Sequence, residues 1–295
     1  MSAGRRLLVI YNPTAGRRAR RKLDRFLAGL RAEGAGATLA ETTGPLDAKN
    51  LAAEADPARF DAVVAAGGDG TINEAMNGLT RSGLPLAILP LGTANVLANE
   101  LDLPTSPEAL AHLAATAPVR MIRPGEIAQP GQAPWRFLLM AGIGFDAEVV
   151  ARLDVRLKRK IGKGAYVIGS LRQLMRTPPV PFLVTLDDRV AWPASLIVTR
   201  AHFYGGRFVL APKAHLDIDQ LHAVSFADPS RSSTLRYLAA TVTARLASQS
   251  DVEISPVARV TLSGPPGAPV QVDGDIRAHL PARIGLAATP VGIIA

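Results

Sequence analysis

A chain of 295 residues, 48% of them hydrophobic and 20% charged, can bury one large core or two smaller ones, and this composition excludes a disordered class. It contains no cysteine, which excludes disulfides, thiol nucleophiles and cysteine-ligated zinc. Lysine and arginine outnumber acidic residues 33 to 25, a net charge of +8 that favours anionic partners such as nucleotide phosphates, nucleic acid or anionic lipid headgroups.

The first apolar run, Leu7 to Tyr11 after Arg5-Arg6, is too short for the roughly 7–15-residue core of a signal peptide and reads as a buried first strand. Leu23, Phe26, Leu27 and Leu30 then recur at helical spacing. Ala37 to Ala40 reads as a strand, Leu46 to Ala55 as a helix, and Ala62 to Ala66 as a strand apolar on both faces. Thr71 to Leu79 (helix), Leu86 to Leu89 (strand) and Ala94 to Leu101 (helix) follow. This alternation predicts an α/β domain with a parallel sheet covered by helices on both faces. After about Val119 short strand-like runs dominate, including Phe137 to Met140, Ala194 to Thr199, Ala223 to Phe226 and Val270 to Val272. They predict an antiparallel β domain, interrupted by helices at Asp146 to Met175 and Ser232 to Ala247. Every apolar run falls short of the roughly 18–20 residues of a spanning helix, so the expectation is a soluble protein without an export signal.

The strongest chemical signal is Gly67-Gly68-Asp69-Gly70-Thr71, between a buried strand and a helix. Glycines let the backbone approach a phosphate, and the helix start offers amide donors and a positive dipole end. Asp69 adds a carboxylate able to act on Mg²⁺ or on a proton. A structural turn is the competing reading, since Thr71 and Glu74 also fit a capping box. Two further turns favour phosphate: Asn12-Pro13-Thr14-Ala15-Gly16 after the first strand and Leu91-Gly92-Thr93-Ala94-Asn95 after the fourth. Thr42 and Thr43 follow the second strand. Turns at the carboxyl ends of parallel strands are where open α/β sheets bind ligands.

The combination resembles the bacterial diacylglycerol-kinase catalytic family, which also includes sphingosine and ceramide kinases. The resemblance rests on Tyr11 to Gly16, Gly67 to Glu74 with Asn77-Gly78, and Leu91 to Asn95. Ala141-Gly142-Ile143-Gly144-Phe145-Asp146, Tyr204-Gly205-Gly206 and Asp273-Gly274-Asp275 continue it in the family's order. It implies a nucleotide-binding α/β domain over 1–122, which 289–295 rejoins, a β-sandwich lipid-substrate domain over 123–288, and an active site in the interdomain cleft. It implies ATP contacts at Asn12, Thr43, Gly67, Gly68, Gly70, Thr71, Thr93 and Asn95, with Asp69 at the metal and phosphate end. Asp275 is implied as general base on the lipid hydroxyl with Asp273 close by, and Asp69 competes for that role. Read without the family, Asp273-Gly274-Asp275 is a hairpin turn.

The chain departs from the family pattern at Asp275, more often Glu, and at Val96, which replaces an Asp. Asp217-Ile218-Asp219-Gln220 stands where many relatives carry Asp-Asp-Gly, a segment that helps hold a structural Mg²⁺ in some of them.

The basic run Arg152, Arg156, Lys158, Arg159, Lys160 and Lys163, continued by Arg172 and Arg176, suits docking on an anionic membrane, and equally a solvated helix face. Asp146 and Tyr166 are the expected lipid contacts. Arg17 to Lys22 form a second basic cluster, read chiefly as a solvated helix face. Trp135 and Trp192 are expected in the core or packed on turns, and the five histidines show no metal-ligand spacing.

The expected function is therefore ATP- and Mg²⁺-dependent phosphorylation of a diacylglycerol-type or sphingoid/ceramide-type membrane lipid. The expected setting is the cytoplasmic face of the membrane, without nucleic acid and with a homodimer allowed. The alternatives are a soluble-metabolite kinase resembling NAD kinase, and a non-catalytic lipid- or nucleotide-binding module.

Overall fold

The computed structural model describes residues 4–151 and 181–295. The chain divides into two units, one comprising residues up to Arg123 together with Thr289–Ala295, the other lying within Pro124–Ala288.

In the first unit, β1 (Arg6–Tyr11), α1 (Arg17–Ala32), β2 (Gly36–Glu41), α2 (Asp47–Ala53) and β3 (Ala62–Gly67) are followed by α3 (Asp69–Ser82), β4 (Leu86–Pro90), α4 (Val96–Glu100), α5 (Pro107–Thr116) and β5 (Val119–Ile122). The last strand of the chain, β20 (Val291–Ile294), joins this sheet, whose order is β2-β1-β3-β4-β20-β5. All pairings are parallel except β20 with β5. Every residue of β3 is buried, as a central strand covered on both faces requires. Helix α1 seats Leu23, Phe26 and Leu30 in one core cluster with Leu7, Val9 and Val64, realising the helical spacing of those side chains. Gly78 lets α2 approach α3: a Cβ there would lie 2.2 Å from the Lys49 carbonyl oxygen and 2.8 Å from the Ala52 Cβ.

The second unit contains β6 (Gly125–Ala128), β7 (Trp135–Phe137), β8 (Met140–Ile143), α6 (Phe145–Ala151), β9 (Leu183–Leu186), β10 (Arg189–Ala191) and β11 (Ser195–Thr199). There follow β12 (Phe203–Tyr204), β13 (Phe208–Val209), β14 (Leu221–Phe226), α7 (Arg231–Val242), β15 (Val252–Val257), β16 (Arg259–Ser263), β17 (Pro269–Val272), β18 (Asp275–His279) and β19 (Ala282–Leu286). Two antiparallel six-stranded sheets form, ordered β10-β9-β16-β19-β6-β7 and β15-β14-β11-β8-β17-β18. Phe137, Val184, Val260 and Ile284 from the first meet Ala141, Leu196, Ala223 and Val270 from the second in one core. Alternating strands whose apolar faces meet this way make a β-sandwich.

One local reading differs from the structure, and two others are met in part. The capping box at Thr71 and Glu74 does not form, because Gly68 is the N-cap of α3 and both side chains serve other elements: Asn12 Nδ2 donates to Thr71 Oγ1, and the Leu46 amide donates to Glu74 Oε1. Trp192 is 63% exposed and lies outside the core. The expected helix from Asp146 is seen as α6 up to Ala151, and the rest of that expectation falls outside the described residues. Among the described residues, no helix is long and apolar enough to cross a membrane.

Candidate active site

Sheet order places a topological switch point between β1 and β3, since β2 lies on one side of β1 and β3 and β4 on the other. Two hydrogen bonds span that point. The Asn12 amide N–H donates to the Ala66 carbonyl at 3.0 Å, and Asn12 Nδ2 donates to Thr71 Oγ1 at 3.0 Å. The other end of the Asn12 side chain accepts from the Thr14 amide at 3.0 Å and the Thr14 hydroxyl at 2.7 Å, which fixes the first turn.

The third and fourth strands bring their turns into backbone contact. The Leu91 amide donates to the Gly67 carbonyl at 2.8 Å, and a Cβ on Gly92 would stand 2.7 Å from the Gly68 Cα. A side chain at Gly67 would strike Thr71 at 2.5 Å. Asn95, in left-handed conformation, closes the fourth turn by donating from Nδ2 to the Gly92 carbonyl at 2.9 Å. These turns surround the start of α3, whose first amides have no carbonyl partner inside the helix. Amide donors and a positive dipole end at a helix start lined by glycine backbone are features that suit an anion.

Asp69 opens α3, and its carboxylate also caps α4: Oδ2 accepts from the Val96 amide and Oδ1 from the Leu97 amide, each at 3.1 Å. Of the other expected nucleotide residues, Gly70 lies in the first turn of α3 and Thr93 is exposed in the turn after β4. Thr43 is exposed at the end of β2 and directs its hydroxyl and its amide to Asp47 Oδ2, at 2.5 and 2.7 Å. Those bonds hold the Asp47 carboxyl below the usual range.

In the second unit the Asp273-Gly274 pair turns the chain between β17 and β18, with φ of +47° and +88°. Two positive φ values and the facing pair Val272 and Asp275 define a two-residue hairpin, as the dipeptide alone reads. Asp273 is buried and clamps the backbone. Its Oδ1 accepts from the Leu139 and Met140 amides at 3.1 and 2.9 Å, and its Oδ2 from the Leu138 amide at 3.1 Å. Asp275 opens β18 with its side chain 42% exposed, 3.2 Å from Arg277 Nη2. Arg277 in turn lies over the Trp135 ring, 4.7 Å from its centroid.

A buried chain of hydrogen bonds supports the same hairpin. Gln271 Oε1 accepts from the Gly274 amide at 2.9 Å, while its Nε2 donates to Asp146 Oδ2 at 2.7 Å. Tyr204 donates its hydroxyl to Asp146 Oδ1. Gly142 makes room, because a Cβ there would lie 2.2 Å from Asp146 Oδ2 and 2.7 Å from Gln271 Nε2. Burial pushes the Asp146 carboxyl up, against the two hydrogen bonds that favour its charge. Both Asp146 oxygens face protein donors inside the unit.

The profile of the diacylglycerol kinase catalytic domain matches residues 6–127, and that of the YegS C-terminal NAD kinase beta sandwich-like domain matches 140–295. The diacylglycerol kinase of Mycobacterium tuberculosis is 31% identical over 81% of this chain and 78% of its own length. The chain belongs to the diacylglycerol kinase family of lipid kinases. The Bacillus subtilis diacylglycerol kinase is 33% identical to this lipid kinase over 72% of the chain and 71% of its own length. A solved diacylglycerol kinase of Bacillus anthracis shares the fold, with a TM-score of 0.76 at 23% identity over 100% of this chain and 98% of its own.

Tyr166 and the basic run from Arg152 to Arg176 lie outside the described residues of this kinase. In the second basic cluster, Arg20 pairs with Asp24 at 3.1 Å and Glu41 at 3.2 Å on an exposed helix face. Sequence reasoning missed Gln271 as the link between hairpin and Asp146, and Tyr204 as its partner. The Tyr204-Gly205-Gly206 motif was a signal for the second; Gln271 offers none, because its partner is 125 residues away.

Proposed function

We propose that this lipid kinase transfers the γ-phosphate of ATP to a hydroxyl of a diacylglycerol-type or sphingoid/ceramide-type lipid. One observation carries the reading: the turns after β1, β3 and β4 converge on the start of α3 in a chain of this family. On this reading the α3 amides, with Asn12, Gly68, Thr71 and Thr93, hold the triphosphate, and Asn95 keeps the fourth turn closed. Asp275 receives the hydroxyl proton as the lipid oxygen bonds to the γ-phosphorus and the bond to the β–γ bridging oxygen breaks, releasing ADP. Asp275 suits this role better than Asp273, whose carboxylate is held by three main-chain amides.

Mg²⁺ on nucleotide phosphates typically needs one or two protein carboxylates, and Asp69 at the α3 start supplies one, so the donor chemistry fits. Among the described residues no cluster of three or more His, Asp or Glu offers an all-protein cage. When bound, the ion would spread the charge of the transferring phosphate. The chain's own contribution is to hold both helix starts, α3 and α4, through Asp69.

The test is incubation with γ-labelled ATP, Mg²⁺ and a total lipid extract, followed by mass spectrometry of the labelled product. The expected product is a lipid heavier by one phosphate, absent with Asp275→Asn. Label appearing only in NAD or another soluble acceptor contradicts the reading.

A further inference from the structure

We propose that Arg200 braces the 216–220 segment with its own guanidinium, filling a cage of main-chain carbonyls that has the donor chemistry of a divalent-cation site, so that this chain needs no structural divalent ion there. Arg200 follows β11 and is fully buried, at 0% exposure. Its main-chain amide is fixed by donating to the Leu139 carbonyl at 2.8 Å. Its Nη2 donates to the Leu216 carbonyl at 2.6 Å, and its Nη1 to the Ile218 carbonyl at 2.6 Å and more distantly to Gln220 at 3.5 Å.

Three carbonyls at alternate positions of one short segment thus converge on a single positive group. Convergent oxygens are what Mg²⁺ and Ca²⁺ seek, at about 2.0–2.6 Å. Here the carbonyl oxygens already accept from a planar fork that stays charged at any accessible pH. The segment is also the one where this chain, with Asp217-Ile218-Asp219-Gln220, departs from the Asp-Asp-Gly pattern tied to a structural Mg²⁺ in some relatives. Ile218 contributes its carbonyl while its side chain is exposed, so nothing in that side chain draws a cation inward.

The arginine and a divalent ion are alternatives for the same carbonyls.

The inference stands apart from the catalytic reading, and nucleotide-free thermal unfolding of the full chain tests it. Treatment with EDTA, then with Mg²⁺ or Ca²⁺ at about 10 mM, is expected to move the wild-type Tm by less than about 1 °C, because no bound ion links to folding. Arg200→Met keeps bulk but removes charge and donors, and is expected to lower Tm by roughly 5 °C or more. A wild-type Tm that falls by that amount on chelation and recovers with Mg²⁺ or Ca²⁺ overturns the proposal. So does an Arg200→Met protein as stable as wild type. If Arg200→Met does not fold, Arg200→Lys carries the comparison. It retains a cation with fewer donors, so its Tm is expected below wild type and equally insensitive to EDTA; a wild-type Tm, or one that EDTA lowers, counts against the proposal.

Discussion

Asp273 and Asp275 stand two residues apart on one hairpin, yet their carboxylates meet different surroundings. The first is buried and accepts from three main-chain amides; the second is half-exposed beside Arg277. Substitutions should separate them. Asp273→Ala strands those amides and should cost about 3 kcal/mol or more of stability, seen as a lowered Tm. Asp275→Asn should leave Tm near wild type while turnover falls by about 10²–10⁴-fold, the usual worth of a general base. An Asp275→Asn enzyme of wild-type rate would remove Asp275 from the chemistry. The sequence could mark the turn, because Asp-Gly favours positive φ at both positions. It could not mark the clamp, because the amides Asp273 holds lie 133–135 residues away along the chain.

At the scale of elements, strand-to-helix alternation was readable as far as β4 because the buried positions of β1, β3 and β4 are apolar throughout and α1 shows helical spacing. The Thr71 and Glu74 pattern misled because local pairing lost to tertiary partners: Asn12 takes Thr71, and the Leu46 amide takes Glu74. The contact between the third and fourth turns is equally tertiary. Gly92→Ala places a methyl carbon 2.7 Å from the Gly68 Cα, so the two turns must separate. Nucleotide affinity is expected to fall at least about tenfold, measured by titration calorimetry, an energy typical of overpacking. Unchanged affinity would show that the contact between these turns is not needed for nucleotide binding.

In the second sandwich unit, Arg236 on α7 holds Asp251 at 2.6 Å and keeps its carboxyl down at about 2. The Tyr237 hydroxyl also donates to Asp251, at 2.5 Å. A carboxyl lowered on folding adds stability above its ordinary value of 3.8, and that stability is lost as pH falls towards 2. Acid unfolding between about pH 4 and pH 2 should therefore be shallower in Asp251→Asn than in wild type, followed by circular dichroism. Identical pH profiles for the two proteins would contradict this.

At the scale of the whole molecule, the parallel sheet and the antiparallel sandwich were both legible, because hydrophobic period and turn chemistry differ between the two halves of the chain. The return of β20 to the first sheet rested on family resemblance, since four residues near the end carry no pattern of their own. Arg200 was not legible as a brace: a lone arginine after a strand reads as surface, and only the folded chain shows its 0% exposure and its carbonyl partners.

The central claim concerns where the γ-phosphate goes, and a two-phase acceptor assay tests it most directly. Diacylglycerol and ceramide in mixed vesicles are offered together with NAD, γ-labelled ATP and Mg²⁺, and the label is then partitioned between organic and aqueous phases. The account predicts label in the organic phase as a phosphorylated lipid, lost with Asp275→Asn. Label recovered only in the aqueous phase as a phosphorylated soluble acceptor, or an organic product formed equally well by Asp275→Asn, would contradict it.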